Sequence, residues 1–155
     1  MPLAYQALPT EIARHYQQGG ADANGHPPER ALSDGQGVPC RHCMDIVPAG
    51  QEFLILSHRP FPEAQPYAEQ GPIFLCAEAC KRGATTVLPA FLQSPEYILR
   101  GYSADNRIVY GSGAVVDTSK IPAAAETLLA REDIAYLHVR SASNNCYHLR
   151  IERQA

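Results

Sequence analysis

The segments VPCRHCMDI (residues 38–46) and IFLCAEACK (residues 73–81) determine how the first half of this chain folds. Each contains two closely spaced cysteines: Cys40 and Cys43, then Cys76 and Cys80 after a gap of 32 residues. Two intervening residues allow a tight turn to direct both sulfurs at one point. Three intervening residues place Cys76 and Cys80 on one face of a helix, one turn apart. The spacing therefore predicts that each pair points its thiols in one direction.

The residues between the two cysteine pairs predict how the pairs come together. EFLILSH (52–58) is an apolar run of strand length, and IFLC (73–76) predicts the next strand. Paired as a hairpin, the two strands would return the second cysteine pair to the first. A knuckle, a hairpin and a helix that carries the last two ligands form the layout of treble-clef zinc sites. We therefore predict one zinc ion on Cys40, Cys43, Cys76 and Cys80, and we expect it to be structural because four ligands leave no open position.

Three alternatives to zinc stay open at this point: two disulfides, four free cysteines buried as small apolar residues, and a redox pair. Disulfides require an oxidising compartment, and MPLAYQALPTEIARHYQ at the N-terminus shows no export signal, so we expect a cytoplasmic protein with reduced thiols. CRHC (40–43) also resembles a redox motif, and a thiol redox sensor is the corresponding function. Redox motifs of the thioredoxin type accompany a βαβ pattern, which this sequence lacks. The two-pair pattern favours zinc.

The hydrophobic pattern predicts a single α+β domain, with a mostly antiparallel sheet and two or three helices. TEIARHYQQGG predicts a helix from Thr10, and IPAAAETLLAR predicts a second with Ile121, Ala125, Leu128 and Leu129 on its buried face. In the last strand, Tyr147, Leu149 and Ile151 are expected on one face and His148, Arg150 and Glu152 on the other. The predicted regions are an N-terminal helix and loop (1–37, with 19–37 as loop), a cysteine-rich zinc lobe (38–83), and hairpins plus a helix (95–153; strands at 96–102, 107–117, 134–140 and 146–153).

A second group of polar residues suggests a pocket. The residues are His58, Arg59, His138, Arg140, Asn145 and Cys146. If their segments meet, Cys146 with a histidine has the composition of a nucleophile and its base. An enzyme with a pocket near Cys146, His138 and Arg140 is thus the alternative to a binding or accessory module, although a lone cysteine at a strand start is more often a packed small residue.

The composition limits the classes of binding partner that we expect for this protein. The net charge is −3, 19% of residues are charged, and the chain has no run of lysine or arginine, which argues against nucleic acid as the main partner. The apolar runs are too short for a membrane span. The sequence names no partner and leaves homo-oligomerisation open.

Several motifs carry a resemblance. VPCRHC, FLILSHRPFP, QPYAEQGPIFLCAEAC, YILRGY and HVRSASNNCYHLRIER together resemble the bacterial domain-of-unknown-function family 1203, from about residue 30 to the end. The resemblance implies that the counterpart of Cys40 is usual, whereas those of Cys43, Cys76 and Cys80 occur in some members only. The fold would then not depend on zinc. The family's usual PYR appears here as PYA, so Ala68 stands where the family has an arginine and cannot take over a role of that arginine. The resemblance implies no activity.

Overall fold

The computed structural model describes residues 2–154. Within this range the chain forms nine strands and two α-helices, and every strand pairing is antiparallel. The α+β prediction is therefore confirmed. The elements are β1 (Leu3–Gln6), α1 (Thr10–Gln17), β2 (Glu29–Leu32), β3 (Glu52–His58), β4 (Gly71–Cys76), β5 (Ala84–Thr85), β6 (Glu96–Tyr102), β7 (Ala114–Asp117), α2 (Ile121–Leu129), β8 (Tyr136–Ser141) and β9 (Tyr147–Arg153). Neither of the described helices has the length and apolarity needed to cross a membrane.

The strands form two sheets. The larger sheet has the order β5-β1-β9-β8-β6-β7, and the smaller has the order β2-β3-β4. β3 and β4 form the predicted hairpin, in which Phe53 lies opposite Cys76 and His58 opposite Gly71. The N-terminal strand β1 pairs with the C-terminal strand β9, so the start of the chain is built into the larger sheet.

Two apolar clusters explain why these elements pack as they do. Helix α2 buries Ile121, Ala125 and Leu129 completely against the larger sheet, as its i, i+4, i+8 spacing predicts, while Leu128 is only partly buried. Helix α1 places Ala13 and Tyr16 in a second cluster with the β3–β4 hairpin. Each fully buried leucine or isoleucine contributes roughly 1.5–3 kcal/mol, so the two clusters are the main source of stability.

Two predicted boundaries differ from the structure. The segment 19–37, expected as loop, contains β2, which pairs with β3 although its side chains are mostly exposed. The strand expected over 107–117 is interrupted: Ile108 forms only an isolated bridge with Tyr102, and β7 begins at Ala114. Gly111 explains the interruption, because its φ of +86° is a left-handed conformation that turns the chain.

The alternation expected in β9 is also wrong at its start. Val139 lies opposite Leu149, but Arg140 lies opposite Tyr147, so His148 is an extra residue in a β-bulge. Leu149 therefore packs in the core under α2, whereas Tyr147 packs with the α1 cluster on the other side. His148 is buried against the ring of Tyr97, with centroids 5.2 Å apart, instead of facing water.

Candidate metal centre and adjoining cleft

The first cysteine pair lies on a tight knuckle. Pro39 and Ile46 form an isolated bridge that closes it, and the amide of Cys40 donates to the carbonyl of Asp45 at 2.9 Å. The amide of Met44 donates back to the carbonyl of Cys40 at 3.1 Å, and Met44 has a φ of 59°. This compact turn directs the sulfurs of Cys40 and Cys43 to the same side.

The β3–β4 hairpin brings the second pair to the knuckle, as predicted. Cys76 ends β4, and its amide approaches the sulfur of Cys40 at 3.3 Å. The amide of Arg41 donates to the carbonyl of Phe74 at 3.1 Å, which ties the knuckle to the hairpin.

The helix expected after Cys76 is wrong: residues 77–83 contain bends and no helix. Helix α1 holds this segment from outside, since Gln17 Nε2 donates to the carbonyls of Cys76 at 2.9 Å and Glu78 at 3.0 Å, and Arg14 Nη2 donates to that of Cys80 at 2.8 Å. These tertiary hydrogen bonds use carbonyls that a helix would have used. The lobe thus shares the knuckle and hairpin of a treble clef and lacks its helix.

The four sulfurs form one cluster. All lie within 4.8 Å of one another, with Cys40 Sγ 3.9 Å from Cys80 Sγ and Cys43 Sγ 3.8 Å from Cys76 Sγ. A tetrahedral zinc with Zn–S distances near ~2.3 Å requires sulfur–sulfur distances of roughly 3.8 Å. A disulfide would need about 2.05 Å, and all five cysteines are free. The cluster can hold a metal ion.

Hydrogen-bond donors surround the sulfurs. The fully buried ring of His42 places Nδ1 3.0 Å from Cys80 Sγ and Nε2 2.8 Å from Thr10 Oγ1. This geometry makes His42 a neighbour that orients a ligand, because its ring nitrogens are engaged by the sulfur and the hydroxyl.

The thiols also affect each other's ionisation. Hydrogen bonds from Cys40, Cys43 and Cys76 lower the pKa of the Cys80 thiol, and His42 lowers it further. The pKa values of Cys43 and Cys76 are raised, first of all through their contacts with Cys40. Negative charge that forms on one sulfur opposes its formation on the next. A bound divalent cation would remove this opposition, so the cluster has the chemistry of a cation site.

Two arginines connect the cysteine lobe to the larger sheet. Arg41 is buried, and its Nε donates to the carbonyl of Tyr147 at 2.7 Å. Arg82, two residues after Cys80, donates from Nη2 to the carbonyl of Ala7 at 2.7 Å. The cysteine lobe is therefore hydrogen-bonded to the backbone at the start of β9 and just after the end of β1.

A cleft of about 560 Å³ lies where these parts meet. Of the six predicted pocket residues, His58, Arg59 and His138 line it. Arg140 lies beside His138, with Nη2 3.4 Å from His138 Nδ1, and Asn145 donates to Glu69 at 2.8 Å. Cys146 lies in a different groove, with Arg41 and His148. The structure therefore brings part of the predicted pocket together and separates the cysteine from His138.

A protein-family model matches most of this chain. Residues 37–153 match the family model described as "Protein of unknown function (DUF1203)". The chain belongs to the DUF1203 family. Searches among curated proteins and among solved structures gave no match. The DUF1203 segment contains all four clustered cysteines and most of the cleft, while the cleft wall from Gln6 to Ile12 precedes it.

The histidines of this DUF1203 protein's cleft are neutral at pH 7. Burial, followed by the charge of Arg59, lowers the pKa of His58 to about 4. Burial lowers the pKa of His138 well below its usual range, and Arg140, Arg150 and Arg100 lower it further. Both rings are thus buried, and the charges that act on them are positive.

Sequence reasoning missed several residues of the DUF1203 cleft. Arg82 and Tyr147 line it, and neither was predicted as a pocket residue. Arg82 carried a usable signal, because an arginine two residues after a clustered cysteine is a candidate for a charged site. Tyr147 carried no such signal, since the bulge that turns it into the cleft depends on pairing with β8.

Proposed function

We propose that this protein is a small binding or accessory module whose cysteine lobe is held by one structural zinc ion on Cys40, Cys43, Cys76 and Cys80. The observation that supports zinc most directly is the pair of sulfur–sulfur distances, 3.9 and 3.8 Å, which match a tetrahedral site. Thiolate ligands favour soft or borderline metals such as zinc. With four sulfurs bound, the ion holds the knuckle, the hairpin and the 77–83 segment together and takes no part in chemistry.

The surroundings of the cluster support a structural role. Cys40 is fully buried, and the ring of His42 contributes a hydrogen bond to Cys80 Sγ. Arg41 and Arg82 extend from the lobe to the carbonyls of Tyr147 and Ala7, two residues that line the cleft. Zinc would thus position a binding surface at a distance. Reduced thiols of this kind fit a cytoplasmic location.

The enzyme alternative receives less support because Cys146 and His138 lie in separate pockets. Its test is the rate at which Cys146 reacts with iodoacetamide while the metal is retained, and slow labelling would exclude a nucleophile. The redox-sensor alternative predicts reversible loss of about four thiols on mild oxidation. A protein that keeps its metal and thiols in peroxide would exclude it.

Elemental analysis tests the zinc proposal. Protein purified without chelator is expected to contain about one zinc ion per chain. The Cys43→Ser variant is expected to lose most of that zinc, because a hydroxyl is a poor replacement for a thiolate. Cys146→Ser is the matched control and should keep the metal, since this residue lies outside the cluster. Wild-type protein without zinc, or equal loss from both variants, would contradict the proposal.

A further inference from the structure

The cleft beside the metal lobe has an excess of positive charge. Three arginines line it, Arg59, Arg82 and Arg150, with Glu152 as the one carboxylate residue on its walls among the described residues. Glu152 is already engaged, since it accepts from Arg150 Nε at 2.9 Å and from Gln6 Nε2 at 3.3 Å. Because Arg150 pairs with Glu152, an incoming anion would meet that ion pair together with Arg59 and Arg82, an excess of two positive charges.

Each of the three guanidinium groups is held by the protein. Arg82 donates to the carbonyl of Ala7, and Arg59 donates to that of Phe61 at 3.3 Å. Arg150 stacks on Tyr136, with its guanidinium carbon 3.8 Å from the ring centroid. A guanidinium carries five N–H donors, so these contacts fix its position and leave further donors for a ligand. Donors fixed in advance lose less entropy when an anion binds.

His138 adds a further donor to the cleft, and buried positive charge lies behind it. Arg140 can only donate, so its contact at 3.4 Å makes His138 Nδ1 the acceptor and places the proton of the neutral ring on Nε2. The Arg140 side chain is 4% exposed, and its Nε is buried without a hydrogen-bond partner among the described residues. Glu69 lies 3.7 Å from Arg140 and also pairs with Arg100. Two arginines behind His138 thus share one carboxylate.

The remaining walls are apolar. Leu8, Pro9, Ile12, Phe61 and Pro62 line the same cleft. Its volume of about 560 Å³ lies within the range of roughly 300–1,000 Å³ found for small-molecule sites. A cleft lined by both cationic and apolar groups matches a molecule that has an anionic group and an apolar body.

We infer that the cleft binds a small organic anion, with its phosphate or carboxylate group on Arg59, Arg82 and Arg150 and its apolar body against Phe61 and Ile12. The inference rests on the proposed binding function and specifies its ligand class. It does not depend on which metal the cysteines hold. Guanidinium groups bind both kinds of anion through paired hydrogen bonds, so the anionic group is the shared chemistry and the test separates the two.

Calorimetric titration of the metal-loaded protein tests the inference. Phenyl phosphate and benzoate are the anionic probes, inorganic phosphate isolates the charged group, and phenol isolates the ring. We expect one of the two organic anions to bind at a single site about tenfold or more tightly than phenol, and less tightly as salt increases. Failure of both organic anions at millimolar concentration, or equal binding of phenol, would overturn the inference.

Charge-removing variants locate the site. Arg59→Gln and Arg82→Gln are each expected to weaken anion binding about tenfold, the loss of one charge-assisted contact. Arg30→Gln is the matched control, because Arg30 lies on β2 outside the residues that line the cleft, is half exposed and pairs with Glu52 at 3.6 Å. Equal weakening by all three variants would contradict a site in the cleft.

Two further measurements give a result for or against anion binding even if a variant does not fold. If a cleft variant is unstable, the ring signals of His58 and His138 in wild-type protein should still shift when phenyl phosphate is added, and unchanged signals would contradict the inference. Metal content is measured on the same samples. Zinc-loaded protein that ignores anions overturns the ligand inference alone, whereas anion-binding protein without zinc overturns the zinc proposal alone.

Discussion

At the scale of single residues, the cysteine lobe also depends on residues other than its cysteines. His42 lies between Cys40 and Cys43 in the sequence, and its Nδ1 lies 3.0 Å from the sulfur of a third cysteine, Cys80. Gly83 allows the chain after Cys80 to close over the knuckle, where its amide donates to the carbonyl of His42 at 2.8 Å. His42 thus contacts one of the clustered sulfurs, and Gly83 contacts the backbone of the knuckle.

His42→Ala is expected to weaken zinc binding by roughly 10–100-fold, because it removes the hydrogen bond that holds the Cys80 sulfur. Competition with a zinc-binding dye measures this change. His26→Ala is the control, since His26 is exposed in the segment before β2. Unchanged affinity in His42→Ala would mean that the ring only fills space.

Gly83→Ala should destabilise the lobe by about 1–3 kcal/mol, because an added methyl must displace its neighbours. An ideal Cβ at this position would lie 2.8 Å from the carbonyl oxygen of Cys43 and 2.8 Å from Met44 Cβ. Denaturant unfolding and zinc content are the measurements. Gly37→Ala has open space around the new atom and should behave like wild type.

At the scale of elements, the hairpin β3–β4, helix α1 and the 77–83 segment form one unit around the sulfur cluster. The segment has no helix of its own, and Gln17 and Arg14 from α1 satisfy its carbonyls. In contrast, α2 packs on the larger sheet through a separate cluster of buried residues. The two halves of the structure should therefore respond differently to metal removal.

Removal of zinc with a chelator is expected to increase hydrogen exchange in residues 38–46 and 71–83, which contain the ligands, and to leave β6 and β8 protected. The physical reason is that the larger sheet keeps its own apolar cluster when the metal is lost. Exchange followed by mass spectrometry measures both regions in one experiment. Global loss of protection would show that zinc supports the whole fold, contrary to what the family resemblance implies.

At the scale of the whole molecule, burial of neutral histidines makes stability depend on pH. His58, His138 and His148 are all buried, and burial, followed by Arg41, lowers the pKa of His148 to about 3. The unfolded chain binds protons on these rings near pH 6.5, the usual histidine pKa, while the folded chain does not. The molecule therefore loses stability as the solution becomes acidic.

His58 allows a quantitative test. Between the unfolded pKa of 6.5 and the folded pKa of about 4, the unfolded state binds one more proton on this ring. The free energy of unfolding should fall with decreasing pH in this window, by up to ~1.4 kcal/mol per pH unit from this residue. His58→Asn should reduce the slope by about one proton, as measured by denaturant unfolding at several pH values with zinc present. His26→Asn should leave the slope unchanged because His26 is exposed.

The sequence by itself determined the features that depend on local spacing. The knuckle follows from two residues between Cys40 and Cys43, and the buried face of α2 follows from the i, i+4, i+8 positions of Ile121, Ala125 and Leu129. The hairpin that joins the cysteine pairs follows from two apolar runs of strand length. Each of these patterns reports on neighbours along the chain, where a period of two or of 3.6 residues fixes the geometry.

Tertiary structure alone decided the features that depend on contacts between distant segments. The 77–83 segment is not helical because α1 takes its carbonyl hydrogen bonds, and Tyr147 turns into the cleft because His148 is bulged out of the pairing with β8. Arg59, Arg82 and Arg150 meet in one cleft although more than 20 residues separate each from the next. These distances cannot be read from the spacing of residues in the sequence. The packing of whole elements and the register of their strands determine them.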